Sequence, residues 1–192
     1  VTDRDVALVL TATDAACRDA GARLFPGVPL EALAREALRP LAPFEGPLFD
    51  LLSAQPRGSA VALVVPVLAA GGEARLMPGD LVPVADHVDL ERRGPLSGRW
   101  PAGVPRDFPS MTGIYQPALV RPLQGARVYS SGVVAAGVAD ARRLTRFEAR
   151  AAGEGGWPIV SDSLVPVATV AAYYGLRLAA CGLVQAPTDY RE

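Results

Sequence analysis

The run Val61 to Leu68 is apolar at every position and ends directly in Ala69-Ala70-Gly71-Gly72. A short unbroken apolar stretch bounded by small residues predicts a strand buried on both faces rather than one with a wet side. A second such run, Leu178 to Val184, lies near the other end of the chain. Two strands of this kind need helices or other strands over both faces, which predicts an α/β fold with a mainly parallel or mixed sheet. The small-residue turn after the first strand lets a ligand approach backbone N–H groups closely, a setting that suits anions.

The rest of the chain fits around these strands. Val6 to Leu10 predicts a strand, Thr11-Ala12-Thr13-Asp14 a turn, and Ala15 to Leu24 a helix. Helical spacing from Leu30 to Leu41, with Glu31, Arg35 and Glu36 on its wet side, predicts a second helix, and Phe44 to Leu52 a third, with Pro40 and Pro43 separating them. Leu81 to Val84 and Arg127 to Ala135 predict strands, while Ala139 to Ala152 and Val165 to Tyr174 carry helical spacing. Arg92 to Gln116 is rich in Gly, Pro and Arg without sustained period and predicts a long loop, either a lid or oligomer contact or an ordered surface excursion. The 192 residues, half of them hydrophobic, are enough for one domain spanning 1–192 with a single substantial core.

Composition narrows the chemistry. The net charge is -1, so no general field draws a polyanion, and nucleic acid is not expected as a partner. All 19 basic residues are Arg, which removes a P-loop lysine, Schiff-base chemistry and a lysine general base. Cys17 and Cys181 stand far apart without a CxxC or Cys/His cluster, so buried free thiols and no metal site are expected. No apolar stretch approaches the length of about 20 residues that spans a bilayer, and no secretory pattern opens the chain, which leads to the expectation of a cytoplasmic protein away from membranes.

Four ordered blocks carry a family resemblance. They are Leu68-Ala69-Ala70-Gly71-Gly72; Pro78-Gly79-Asp80-Leu81 with Asp86-His87-Val88-Asp89-Leu90; Asp107-Phe108-Pro109-Ser110-Met111 with Tyr115; and Ser161-Asp162-Ser163-Leu164-Val165-Pro166 with Gly175-Leu176-Arg177. In order and spacing this pattern resembles the trimeric purine nucleoside phosphorylases and their methylthioadenosine phosphorylase relatives, over about Val61 to Val184. The resemblance implies a mixed central sheet curling toward a barrel and flanked by helices. It implies phosphate as co-substrate with no other cofactor, a small-molecule nucleoside or anion as ligand, and a homo-trimer or a hetero-oligomer with an active homologue.

Carried over position by position, the resemblance assigns phosphate contacts to Ala69, Ser163, Thr11 and Thr13, and nucleoside contacts to Ala70, Gly71, Asp162 and Phe108. The family's purine-binding Glu falls on Leu144 and its N7-binding Asn on Ala186, and neither side chain can hydrogen-bond a base. A glycine-rich first loop is replaced by Thr11-Ala12-Thr13, and the Arg and His hairpin before the Ala69 strand has no counterpart. These substitutions imply a scaffold without ordinary purine phosphorolysis. The alternative is an active phosphorylase of altered base specificity, with Asp162, Glu148 or Asp189 supplying the polar contact.

Several residues carry a plainer reading beside the functional one. Asp162 and Ser163 suit the N-cap of the helix opened by Val165-Pro166 as well as an anion site, since both roles use the same N–H groups. Phe108 suits either a neighbouring subunit's ribose pocket or a loop anchor. His87, the sole histidine, reads as structural, and no Gly-x-Ser-x-Gly elbow supports a Ser-His-Asp hydrolase. Arg57, Arg92, Arg93 and Arg99 are available to hold an anion, although surface solvation is the default for each.

Overall fold

The computed structural model describes residues 6–40, 43–71, 75–91, 94–98, 100–129 and 132–185. Its strands are β1 (Val6–Ala12), β2 (Leu30–Leu33), β3 (Ala60–Ala69), β4 (Leu81–Asp89), β5 (Val133–Gly137), β6 (Ile159–Ser161) and β7 (Arg177–Val184). Its helices are α1 (Ala15–Leu24), α2 (Pro47–Ser53), α3 (Arg146–Glu154) and α4 (Leu164–Tyr173). The sheet order β2-β1-β3-β6-β5-β4-β7, with β7 returning to β3, closes five strands into a barrel and leaves β1 and β2 as an extension from β3. The β3–β7, β4–β5 and β5–β6 pairs are parallel, whereas β3–β6 and β4–β7 are antiparallel, so the expected mixed sheet curling toward a barrel is present.

The two apolar runs occupy the places their composition dictates. Strand β3 pairs along eight residues with β7, and most of both strands is fully buried. Small side chains let strands and helices approach: a Cβ built on Gly182 of β7 would stand 2.7 Å from a Val67 methyl.

Strand β3 also organises the site, because it exchanges partners along one edge. Its first half pairs with β1 as far as Thr11 opposite Val64, and its end pairs with β6, with Leu68 opposite Val160. Continuing both registers by two residues brings Thr13 and Asp162 level with Pro66, so β1 and β6 run head-on and stop on either side of it. Val67 accepts from the Gln185 amide on the β7 edge, which turns Pro66 toward the edge where pairing breaks. A proline there has no N–H to leave unpaired, so the gap costs no ladder donor. Partner exchange of this kind, at the carboxyl ends of strands, opens a crevice in α/β sheets.

Three expectations from sequence are corrected. The helix expected over Leu30 to Leu41 is instead the edge strand β2 followed by a turn around residues 34–38. The free edge of β1 supplies four parallel partners, and Glu31 points to solvent while Leu33 is buried, so tertiary pairing overrides the helical period. Of the strand expected over Arg127 to Ala135, the described residues form β5 from Val133 onward, and Val128 is held to Leu81 by an isolated bridge. The pattern over Ala139 to Ala152 divides into a 3-10 turn, Ala141–Arg143, and α3. Among the described residues the Arg92 to Gln116 segment is a loop, tied to β7 by a bridge from Tyr115 to Leu178.

Candidate functional site

The crevice at Pro66 is filled from one side by a cation. The turn after β2 carries Arg35, whose guanidinium donates through Nε to Asp162 Oδ2 at 3.0 Å, through Nη2 to the same oxygen, and through Nη2 to Asp140 Oδ1 at 2.6 Å. Asp162 follows β6 and Asp140 follows β5, so three strand ends converge on one ion cluster. Asp162 also accepts from the Ala141 amide at 3.1 Å and from Ser163 Oγ at 2.9 Å. Its side chain is only 7% exposed, and burial acts to raise its carboxyl; the hydrogen bonds from Arg35, Ser163 and Ala141 outweigh that and hold it below the ordinary value. Asp140 is likewise lowered, with the Arg35 and Arg142 contacts overcoming its desolvation.

A cavity of about 360 Å³ opens beside this cluster. Pro66, Val67 and Leu68 of β3 and Ala141 form apolar walls, while Arg35, Arg142, Asp162 and Gln185 bring polar groups to its edge. Its size and mixed lining suit a small organic ligand. A second, more open cavity of about 450 Å³ lies between Ala69, Ala70 and Gly71 and the α3 residues Arg146, Arg150 and Glu154. Helix α3 sits directly on this turn, for a Cβ at Gly153 would stand 2.5 Å from the Ala70 carbonyl oxygen.

The residues singled out from sequence divide between these places. Asp162 lines the first cavity, and Ala69, Ala70 and Gly71 line the second. Ser163 is buried against Asp162. Ser163 stands at the N-cap of α4, as expected, but neither its side chain nor that of Asp162 makes the capping bond; Ser161 Oγ accepts from the Ser163 and Leu164 amides instead. Thr11 lies inside β1 with a fully buried hydroxyl that has no hydrogen-bond partner among the described residues. Thr13 is exposed and donates its amide to the Leu33 carbonyl, and Asp14 caps α1.

Leu144 ends the 3-10 turn and packs into a small apolar cluster with Leu68, Ala152, Val160 and Trp157. Glu148 forms a capping box with Thr145, its carboxylate accepting from the Thr145 amide at 2.8 Å. Phe108 is 99% exposed, which corrects the reading of a buried loop anchor. His87 Nδ1 lies 2.7 Å from the Tyr115 hydroxyl, and burial lowers its pKa against the opposing pull of Asp86 and Asp89, as fits a structural histidine. Arg57 packs under Gly175 at the opposite end of β3. Ala186, Asp189, Arg92, Arg93 and Arg99 lie outside the described residues.

Sequence reading missed Arg35 and Asp140. The helical spacing sets Arg35 on the wet face of an expected helix, and only a strand reading of Leu30-Glu31-Ala32-Leu33 brings it to a carboxyl-terminal strand end, where ligand groups gather.

Comparison with solved structures places this architecture. Schistosoma mansoni purine nucleoside phosphorylase in complex with inosine superposes with a TM-score of 0.54 at 18% identity, over 69% of this chain and 50% of that one. Isoform 2 from the same organism, in complex with cytosine and ribose-1-phosphate, gives 0.52 at 17% identity, over 65% and 46%. The fold is purine nucleoside phosphorylase-like. No family model and no curated protein matches the sequence. The chain spans about half the length of these phosphorylase structures. In this phosphorylase-like scaffold no described helix is long and apolar enough to cross a membrane, and no cluster of three metal-ligating side chains occurs among the described residues.

Proposed function

We propose that this chain is a divergent purine nucleoside phosphorylase-like protein that does not perform ordinary purine phosphorolysis and keeps a pocket for a small anion or nucleoside. The observation that carries this reading is the Arg35–Asp162 pair. A phosphorolytic site needs a cation free to hold phosphate against the anomeric carbon, and of the two guanidiniums beside the cavity Arg35 is engaged by two carboxylates and Arg142 pairs with Asp140. Leu144, in an apolar cluster, supports the same reading for the base side. Inosine, guanosine, adenosine and methylthioadenosine, each incubated with protein and phosphate, are expected to release no free base. Turnover near ordinary enzyme rates of about 1 per second overturns the proposal. The pocket itself requires at least one nucleoside or anion to raise the melting temperature, since specific binding stabilises the folded state.

A second reading, an active phosphorylase of altered base specificity, is favoured by the cavity of about 360 Å³ with the Asp162 carboxylate and Gln185 at its edge. It requires base release from some nucleoside outside the purine set, and its absence across a pyrimidine and modified-base panel overturns it. We further propose assembly as a homo-trimer or with an active homologue, supported by the full exposure of Phe108. Light scattering at micromolar concentration tests this, and a monomer both alone and mixed with the homologue rejects it.

A further inference from the structure

We infer that the Arg35 cluster is an oxyanion cradle that the protein fills with its own Asp162 carboxylate. Four donor contacts converge on this single group: Arg35 Nε at 3.0 Å, Arg35 Nη2, the Ala141 amide at 3.1 Å and Ser163 Oγ at 2.9 Å. They arrive from the turn after β2, the turn after β5 and the start of α4. A guanidinium fork, a backbone amide and a hydroxyl form the donor set that recognises a carboxylate or phosphate group.

The cradle is contiguous with the cavity of about 360 Å³, because Arg35, Ala141 and Asp162 belong to both. Its charges cancel: Arg35 and Arg142 stand against Asp140 and Asp162, all four joined by ion pairs. A free anion therefore finds the donors of the native cradle already satisfied, whatever else the wider cavity binds. Deleting the Asp162 carboxylate changes both conditions together. It leaves an excess positive charge, unsatisfied donors and a vacated space that opens into the cavity. The inference deepens the reading proposed for this cavity, yet its test involves no nucleoside, so the two can fail separately.

The test is anion rescue of Asp162→Ala. The full chain is titrated with formate, acetate and inorganic phosphate at constant ionic strength, with chloride as control. The variant is expected to gain about 3 to 6 °C in melting temperature, saturably, with at least one of these anions, which also reports whether the cradle prefers a carboxylate or phosphate. Wild type and Asp162→Asn, in which the cradle stays filled, are expected to gain clearly less than Asp162→Ala with the same anion, any wild-type gain marking the wider cavity rather than the cradle. If Asp162→Ala is unfolded in chloride, recovery of its circular dichroism on adding anion is the readout. The Arg35→Met/Asp162→Ala variant should show no response. The inference is overturned if no anion stabilises or refolds Asp162→Ala. It is equally overturned if wild type or the double variant responds as strongly.

Discussion

Arg35 Nε donates to Asp162 Oδ2 at 3.0 Å, a contact between residues 127 positions apart in the chain. Removing the cation strands a carboxylate whose side chain is 7% exposed. Arg35→Met is therefore expected to cost about 3 to 5 kcal/mol, whereas Arg35→Met/Asp162→Asn recovers much of the loss, because a neutral pair has no unpaired buried charge. Urea denaturation of the two single variants and the double variant checks this, and additive losses reject the coupling.

The same pair sets a pH dependence. Burial acts to raise the Asp162 and Asp140 carboxyls, and their hydrogen bonds with Arg35 hold both below the ordinary value of 3.8. A depressed folded-state pKa contributes stability that is complete above the unfolded-state value and lost as pH falls through the folded one. Stability should decline below about pH 4. Asp162→Asn should decline less steeply there, as read from melting temperatures between pH 5 and pH 2.5.

Cys17 and Cys181 are fully buried free thiols, and burial pushes each up to about 12. Since the thiolate is the reactive form, both should resist a thiol reagent at pH 8 in the native protein and react in full once it is denatured. Rapid native labelling of either contradicts this.

Gly153 permits α3 to lie on the Ala70–Gly71 backbone, with an added Cβ falling 2.5 Å from the Ala70 oxygen and 2.9 Å from the Gly71 carbonyl carbon. Gly153→Ala must push helix and turn apart, and about 1 to 3 kcal/mol of destabilisation is expected. Thermal or chemical unfolding measures it. An unchanged stability would show that the turn yields without cost.

The capping box makes a local contrast. Thr145 Oγ1 accepts from the Glu148 amide at 3.2 Å, and Thr145→Ala should cost about 0.5 to 2 kcal/mol in the same unfolding measurement while leaving the cavity beside Arg35 intact.

Legibility in the sequence followed the range of the interaction. Strands β3 and β7 and helix α1 declare themselves because their patterns are local: unbroken apolar runs, and an Asp14 cap before a helical period. Strand β2 does not, since only the edge of β1 makes Leu30 to Leu33 extended. The candidate site was half legible. Asp162 stands out within a motif, whereas its partner Arg35 reaches the site by way of the misread segment. Thr145-x-x-Glu148 carried a readable capping signature that the family comparison drew toward base binding.

The head-on meeting of β1 and β6 at Pro66 bears on the order in which the molecule assembles. Strand β1 and the turn bearing Arg35 belong to the first quarter of the chain, and β6 to the last. Their junction requires β6 to pair with β3, a contact between strands about 90 residues apart that calls for a long loop-closure search. The ion pair across it thus acts as a late clasp: weakening it should speed unfolding and leave the folding rate nearly untouched, giving a φ-value near zero.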